Sequence, residues 1–236
     1  MTEISPKRSA SRVDAKGRAY AGSQRWVQAL VNWEKGRLNE AILEVLPSLA
    51  AVQQEIEWVS PLEVDAYAEY YDRGFLDALG LARFYAELRA FWPPGGPHWD
   101  ALAKVRLGHD VGVLLIEAKS YPGELYGCGC QASPLSRAQI EIALTKTKRW
   151  LGTSPDADWC GPLYQYANRL AHLYFLREVA HVPAWLAHVC FIGDPRTPTN
   201  RSAWDTAISS AEQELGLGKP FSYASAVLLN VRGPDE

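Results

Sequence analysis

Apolar positions along the chain switch between two periods, and each period predicts an element. Over residues 38–49 the apolar side chains fall at 38, 41, 42, 45, 46 and 49, the spacing of a helix with one buried stripe. Pro47 marks a boundary or kink near its end. A preceding helix is predicted over 23–33, and EIEWVSPL over 55–62 reads as a strand closed by Ser60-Pro61. Residues 65–92 read as one or two aromatic-rich helices interrupted near Gly74 and Gly80, and the cluster Pro93 to Pro97 stops them.

Two strands follow, over 99–105 and from Val111 to Ile116, with the polar and glycine residues of a turn at 106–110 between them. A loop is predicted over 121–133, helices over 135–151, 163–179 and 204–215, and strands over 184–192 and 222–231. This order fits an α/β sandwich with a mixed central sheet. The expected organisation is a flexible basic leader over 1–22, then one domain over 23–236 with a helical insertion at about 63–92.

The strand ending at Ile116 runs straight into Glu117-Ala118-Lys119. Side chains alternate along a strand, so Glu117 and Lys119 share one face while Ala118 points into packing. If the hairpin is symmetric about Gly108 and His109, Asp100 lies opposite Glu117. Two carboxylates facing each other across a ladder repel unless something offsets their charge. Magnesium or manganese would do so, being hard ions that take carboxylate oxygens together with substrate phosphate oxygens.

An Asp on one strand followed by Glu-x-Lys on the next resembles the PD-(D/E)XK, or restriction endonuclease-like, nuclease superfamily, over roughly residues 38–194. The likeness is to compact members rather than to any named restriction enzyme, and Trp99 stands where the signature carries proline. The resemblance implies a three-layer α/β/α core with a mixed sheet, a Mg2+ or Mn2+ cofactor, and hydrolysis of phosphodiesters by activated water, in DNA more than in RNA. It implies Asp100 and Glu117 as metal ligands, the Ala118 backbone carbonyl as a further ligand, and Lys119 as the group that steadies the attacking water. The same likeness calls for an acid from the first core helix, for which Glu44 and Glu40 are the candidates. A solvated helix-face glutamate is the commoner reading of each, and Glu44, closer to the edge of the apolar stripe, is the preferred candidate.

The segment LYQYANRLAHLYFL over 163–176 is apolar nearly all round, which predicts a buried helix. Gln165, Asn168, Arg169 and His172 form its one polar strip. By the resemblance, Gln165 and Arg169, with Asn168, are candidates for holding the scissile phosphate. A hydrogen-bonded packing network is the alternative, and His172 reads as a satisfied core histidine. Lys146, with Lys148, Arg149 and Arg137, makes the helix over 135–151 basic enough for phosphate contacts.

Composition narrows the field. With 236 residues, 47% hydrophobic and 22% charged, the chain is an ordinary globular one. A net charge of -3 argues against a protein that coats DNA nonspecifically, yet residues 1–36 hold seven Lys or Arg against three acids and residues 40–87 hold ten acids against two bases. Four cysteines are too few and too irregular for a disulfide framework, and Cys128-Gly129-Cys130 lacks the partners of a zinc site. Motifs for P-loop NTPases, serine hydrolases, zinc proteases and Rossmann oxidoreductases are absent from the sequence. With no apolar run of spanning length, no membrane contact and a cytoplasmic location are expected. A homodimer is expected from family analogy alone. A non-catalytic nucleic-acid-binding or protein-interaction module that keeps the nuclease fold remains the alternative function.

Overall fold

The computed structural model describes residues 13–52, 55–108, 110–218 and 221–231. Five strands form one mixed sheet in the order β1-β2-β3-β4-β5. They are β1 (Glu55–Ser60), β2 (Ala101–Leu107), β3 (Asp110–Lys119), β4 (Ala184–Ile192) and β5 (Ala224–Asn230). β1, β2 and β3 pair antiparallel, while β3–β4 and β4–β5 pair parallel. The helices are α1 (Gly22–Trp33), α2 (Lys35–Val45), α3 (Pro47–Ala50), α4 (Asp72–Leu79), α5 (Tyr85–Phe91), α6 (Pro134–Leu151), α7 (Tyr164–Tyr174) and α8 (Arg201–Glu214). An α/β architecture with a mixed sheet is therefore present, as the order of periods predicts.

Alternation along β3 divides the core in two. Leu114, Ile116 and Ala118 pack with Val27 and Leu30 of α1, Leu38 and Ile42 of α2, and Leu49 of α3. Val113 and Leu115 pack on the other face with Phe75 of α4, Leu144 of α6, Leu170 of α7 and Trp204 of α8. Being central and covered on both faces, β3 over 112–118 and nearly all of β4 are buried, and these stretches read as apolar runs interrupted only by Glu117 and His188.

Several boundaries differ from the periodic reading. The helix expected over 38–49 is two helices, because Pro47 cannot continue α2 and instead opens α3 at its first turn. Gly74 does not interrupt a helix but lies inside α4, and the break falls at Gly80, whose φ of 76° ends α4 in the left-handed region that glycine adopts freely. β2 starts two residues later than predicted, since Trp99 makes an isolated bridge to Tyr70 instead. α6 is capped by the Ser133 hydroxyl and closed by Gly152. The helix expected over 163–179 is α7 continued by a π-helical turn over Phe175–Val179, with Ala180 N–H donating to the Phe175 carbonyl at 2.9 Å.

Of the expected leader, the first twelve residues lie outside those described. Residues 13–19 close into a turn through a Val13–Ala19 bridge, with the Asp14 carboxylate accepting the N–H groups of Lys16 and Arg18. The turn between β2 and β3 includes His109, also outside the described residues; on either side of it Leu107 pairs with Asp110. Among the described residues no helix is long and apolar enough to cross a membrane.

Candidate functional site

The end of β3 positions the site. β2 and β3 pair Ala101 with Ile116, which puts position 100 opposite position 117, as the symmetric turn predicts. The Asp100 N–H donates to the Ile116 carbonyl at 3.2 Å, and its carboxylate Oδ2 accepts the Ala118 N–H at 2.7 Å. Asp100 thus supplies the last rung of the ladder with its side chain. A residue's N–H and C=O leave an antiparallel strand on the same edge, so the Ala118 carbonyl leaves β3 on the Asp100 side.

Glu117 is 4% exposed and both its oxygens are held by cations. Lys119 Nζ lies 2.6 Å from Oε1, and Arg169 of α7 places Nη2 at 2.6 Å and Nε at 2.7 Å from Oε2. Arg169 is itself held, donating to Asn168 Oδ1 at 2.8 Å and to the His98 carbonyl at 3.0 Å, with its guanidinium over the Trp99 ring. Gln165 Oε1 accepts from Lys119 Nζ at 3.4 Å.

These surroundings push the two carboxyls apart. Burial lifts the Asp100 carboxyl well above the ordinary range, and the charges of Glu117 and Glu69 add to that lift more than the Ala118 N–H and Lys119 relieve it. Burial also raises Glu117, but Arg169 and Lys119, helped by His188, bring it below its ordinary value. One carboxyl of the pair therefore favours its proton while the other gives it up.

Asp100, Glu117, Ala118, Lys119, Gln165 and Arg169 all line one open cavity of about 430 Å3. A neighbouring cavity of about 390 Å3 shares His98, Gln165 and Arg169 with it. Size does not single out this place, because a cavity of about 570 Å3 lies near the start of β5, lined by Pro47, Tyr166 and Phe221 among others. The concentration of buried charge does. Asn168 lines the smaller neighbour and acts on the cluster through Arg169.

Three sequence candidates stand elsewhere. α2 covers the sheet face opposite Glu117, so Glu40 is exposed and Glu44 lines a groove with Arg201, Asp205 and Glu212 beside β5. Lys146 is on the exposed side of α6 and does not line the cavity. His172 is the buried core histidine that its position predicts, with Nδ1 2.8 Å from the Asn168 carbonyl.

Two residues near the cluster escaped the sequence reading. Glu69, whose carboxyl is raised by burial and by Glu117, accepts from Gln24 Nε2 at 2.9 Å. It reaches Asp100 because the next residue, Tyr70, bridges to Trp99, and no periodicity signals that contact. His188 pairs with Glu117 across the parallel ladder and stacks on Tyr166 at 4.1 Å. Its Nε2 is buried without a hydrogen-bond partner, and burial pushes the ring down to about 4. A histidine inside the apolar run AWLAHVCFI was the available signal.

Among the described residues, no three His, Cys, Asp or Glu side chains are already gathered as a metal-ligand group. Comparison with protein-family models, with curated proteins and with solved structures finds no match for this chain.

Proposed function

We infer that the chain is a restriction endonuclease-like, metal-dependent nuclease that hydrolyses DNA phosphodiester bonds. The observation that carries this reading is the Asp100–Glu117 pair beside Lys119: two carboxyl groups are held together at a strand end, one of them resisting ionisation because of its burial and, after that, because of the other. A divalent cation is the ordinary remedy for such a pair, and the donors are the hard oxygens that magnesium and manganese take. Asp100 and Glu117, with the Ala118 carbonyl, would hold it. When bound, such an ion supplies a Lewis acid for the phosphoryl oxygen and for water activation.

The remaining work falls to the chain. Lys119, tethered between Glu117 and Gln165, presents its amine nitrogen where the attacking water must sit. Arg169 presents a guanidinium braced by Asn168 and the His98 carbonyl, suited to orienting a phosphate. Lys119 and Arg169 engage both Glu117 oxygens, so a metal held by Glu117 would share that carboxylate with them, and a bound phosphate would offer either cation a second partner.

That same engagement of both Glu117 oxygens favours a second reading, a binding module whose charges neutralise one another without metal. Cleavage of DNA with magnesium or manganese separates the two. Native protein is expected to cut, with Asp100→Ala and Lys119→Ala each reduced by at least about a hundredfold, the scale of losing charge stabilisation at a reacting centre. Equal cutting by all three preparations would remove these residues from the chemistry. Absence of cutting together with metal-independent DNA binding would favour the binding module.

A further inference from the structure

The cavity at the end of β3 carries rings that phosphodiester chemistry does not use. Tyr121 and Tyr126, which bracket the short 3-10 turn over Pro122–Leu125, both line it and are 39% and 38% exposed. His98, which lines it from the segment leading into β2, stacks on Tyr71 at 4.1 Å, and Tyr71 is 46% exposed. Scattered exposed apolar side chains are normal on a protein surface. Tyr121, Tyr126 and His98 share one charged cleft, and Tyr71 backs His98 from the cavity beside it.

Two of the rings are also held in place. A Cβ on Gly123 would come within 2.7 Å of the Tyr121 ring, so that ring lies directly over the glycine backbone. The Tyr126 hydroxyl donates to Glu214 Oε1 at 3.1 Å, which anchors the ring at its polar tip. The one further acid in the turn, Glu124, is occupied by accepting the Ser120 N–H at 2.6 Å. Preset rings lose little freedom when something stacks on them.

In a duplex each base face is covered by its neighbours, whereas an unpaired base offers its face to an aromatic side chain. Aromatic rings beside cations that track a phosphate backbone are how single strands are held without sequence readout. We propose that this cleft takes unpaired nucleic acid, with bases stacked on Tyr121, Tyr126 and the Tyr71–His98 pair while Arg169 and Lys119 hold the intervening phosphate. The proposal rests on the nuclease reading only for what happens to the strand after it is bound.

Binding without catalysis tests it. The full chain in EDTA is titrated with a fluorescent deoxythymidine oligonucleotide of about twelve nucleotides, within the usual site sizes for single strands, and with a blunt duplex of equal length. The single strand is expected to bind at least about tenfold tighter. Tyr121→Ala and Tyr126→Ala are each expected to weaken single-strand binding by about tenfold, the scale of one stacked base, and Tyr121→Phe to retain it. Circular dichroism and the melting temperature establish that each variant is folded. Equal affinity for duplex and single strand, no binding of either, or alanine variants that bind like the native protein would each overturn the proposal. Tyrosine-dependent binding with no metal-dependent cutting would leave it standing and remove the nuclease reading; cutting of single strands and duplexes that ignores the tyrosines would do the reverse.

Discussion

The two faces of β3 are made from alternate residues of one ten-residue strand, yet they are built on opposite principles. On the face toward α1, α2 and α3, Leu114, Ile116 and Ala118 meet only apolar neighbours in their cluster. On the face toward α7, the run Val113, Leu115 gives way to Glu117 and Lys119, and the helix above answers with Arg169 instead of another leucine. The dry face gains stability from burial with no geometric demand beyond close packing. The charged face gains little net stability from its ion pairs, because desolvation offsets much of the attraction. Its value lies in holding charge at fixed positions.

The sharpest way to break that comparison is to remove one partner from each face. Arg169→Met leaves Glu117 buried with Lys119 alone, and is expected to destabilise the protein by about 3–5 kcal/mol in urea denaturation. Leu114→Ala on the dry face is expected to cost about 2–5 kcal/mol through lost burial and a cavity. The faces differ in rescue. Adding Glu117→Gln to Arg169→Met should recover most of the loss, since it removes the stranded charge, whereas no single polar change can refill the Leu114 cavity. If the double variant is as unstable as Arg169→Met, the charged face is held by shape rather than by charge balance.

A smaller effect of opposite sign is expected at Asp100. Its carboxyl is raised above its unfolded value, so the cost of ionising it in the native state is absent in acid, grows as pH climbs from the ordinary aspartate range through the raised one, and is complete above that. Asp100→Asn keeps an acceptor for the Ala118 N–H and removes the charge. It is expected to raise stability by about 1 kcal/mol at neutral pH, with the advantage shrinking on acidification, while abolishing metal-dependent cutting. Melting curves across the acid to neutral range would show this directly; a variant less stable than the native protein at neutral pH would mean that something already offsets the carboxylate.

The smallest effects are expected where charge is exposed. Glu44→Gln, beside β5, and Lys146→Gln, on the outside of α6, should each change stability by no more than about 0.5 kcal/mol and leave cutting unchanged. A cleavage defect in Glu44→Gln comparable with that of Lys119→Ala would place the chemistry on the other side of the sheet.

Much of this was legible in the chain. The strand at 184–192 appears with the bounds its apolar run predicts, and the register of β2 on β3 follows from the symmetric turn, because a two-residue connection leaves the ladder no freedom to slip. The polar strip of α7 reaches the end of β3 for a similar reason: a helix buried nearly all round can bury polar side chains only where partners await them. The place of Glu44 beside β5 was not legible, because helical spacing reports which face of a helix a residue occupies and not which side of the sheet that helix covers.

Local period and one tight turn suffice for most of the elements, for the mixed α/β class and for the meeting of Asp100, Glu117 and Lys119. Layer packing is what brings Glu69 and His188 to them, closes Arg169 over Glu117, and sets His98 in the same cleft as Tyr121 and Tyr126. Parallel pairing of β3 with β4 and the bridge from Tyr70 to Trp99 join residues far apart in the chain. Such contacts follow from how whole layers pack, which no local period encodes.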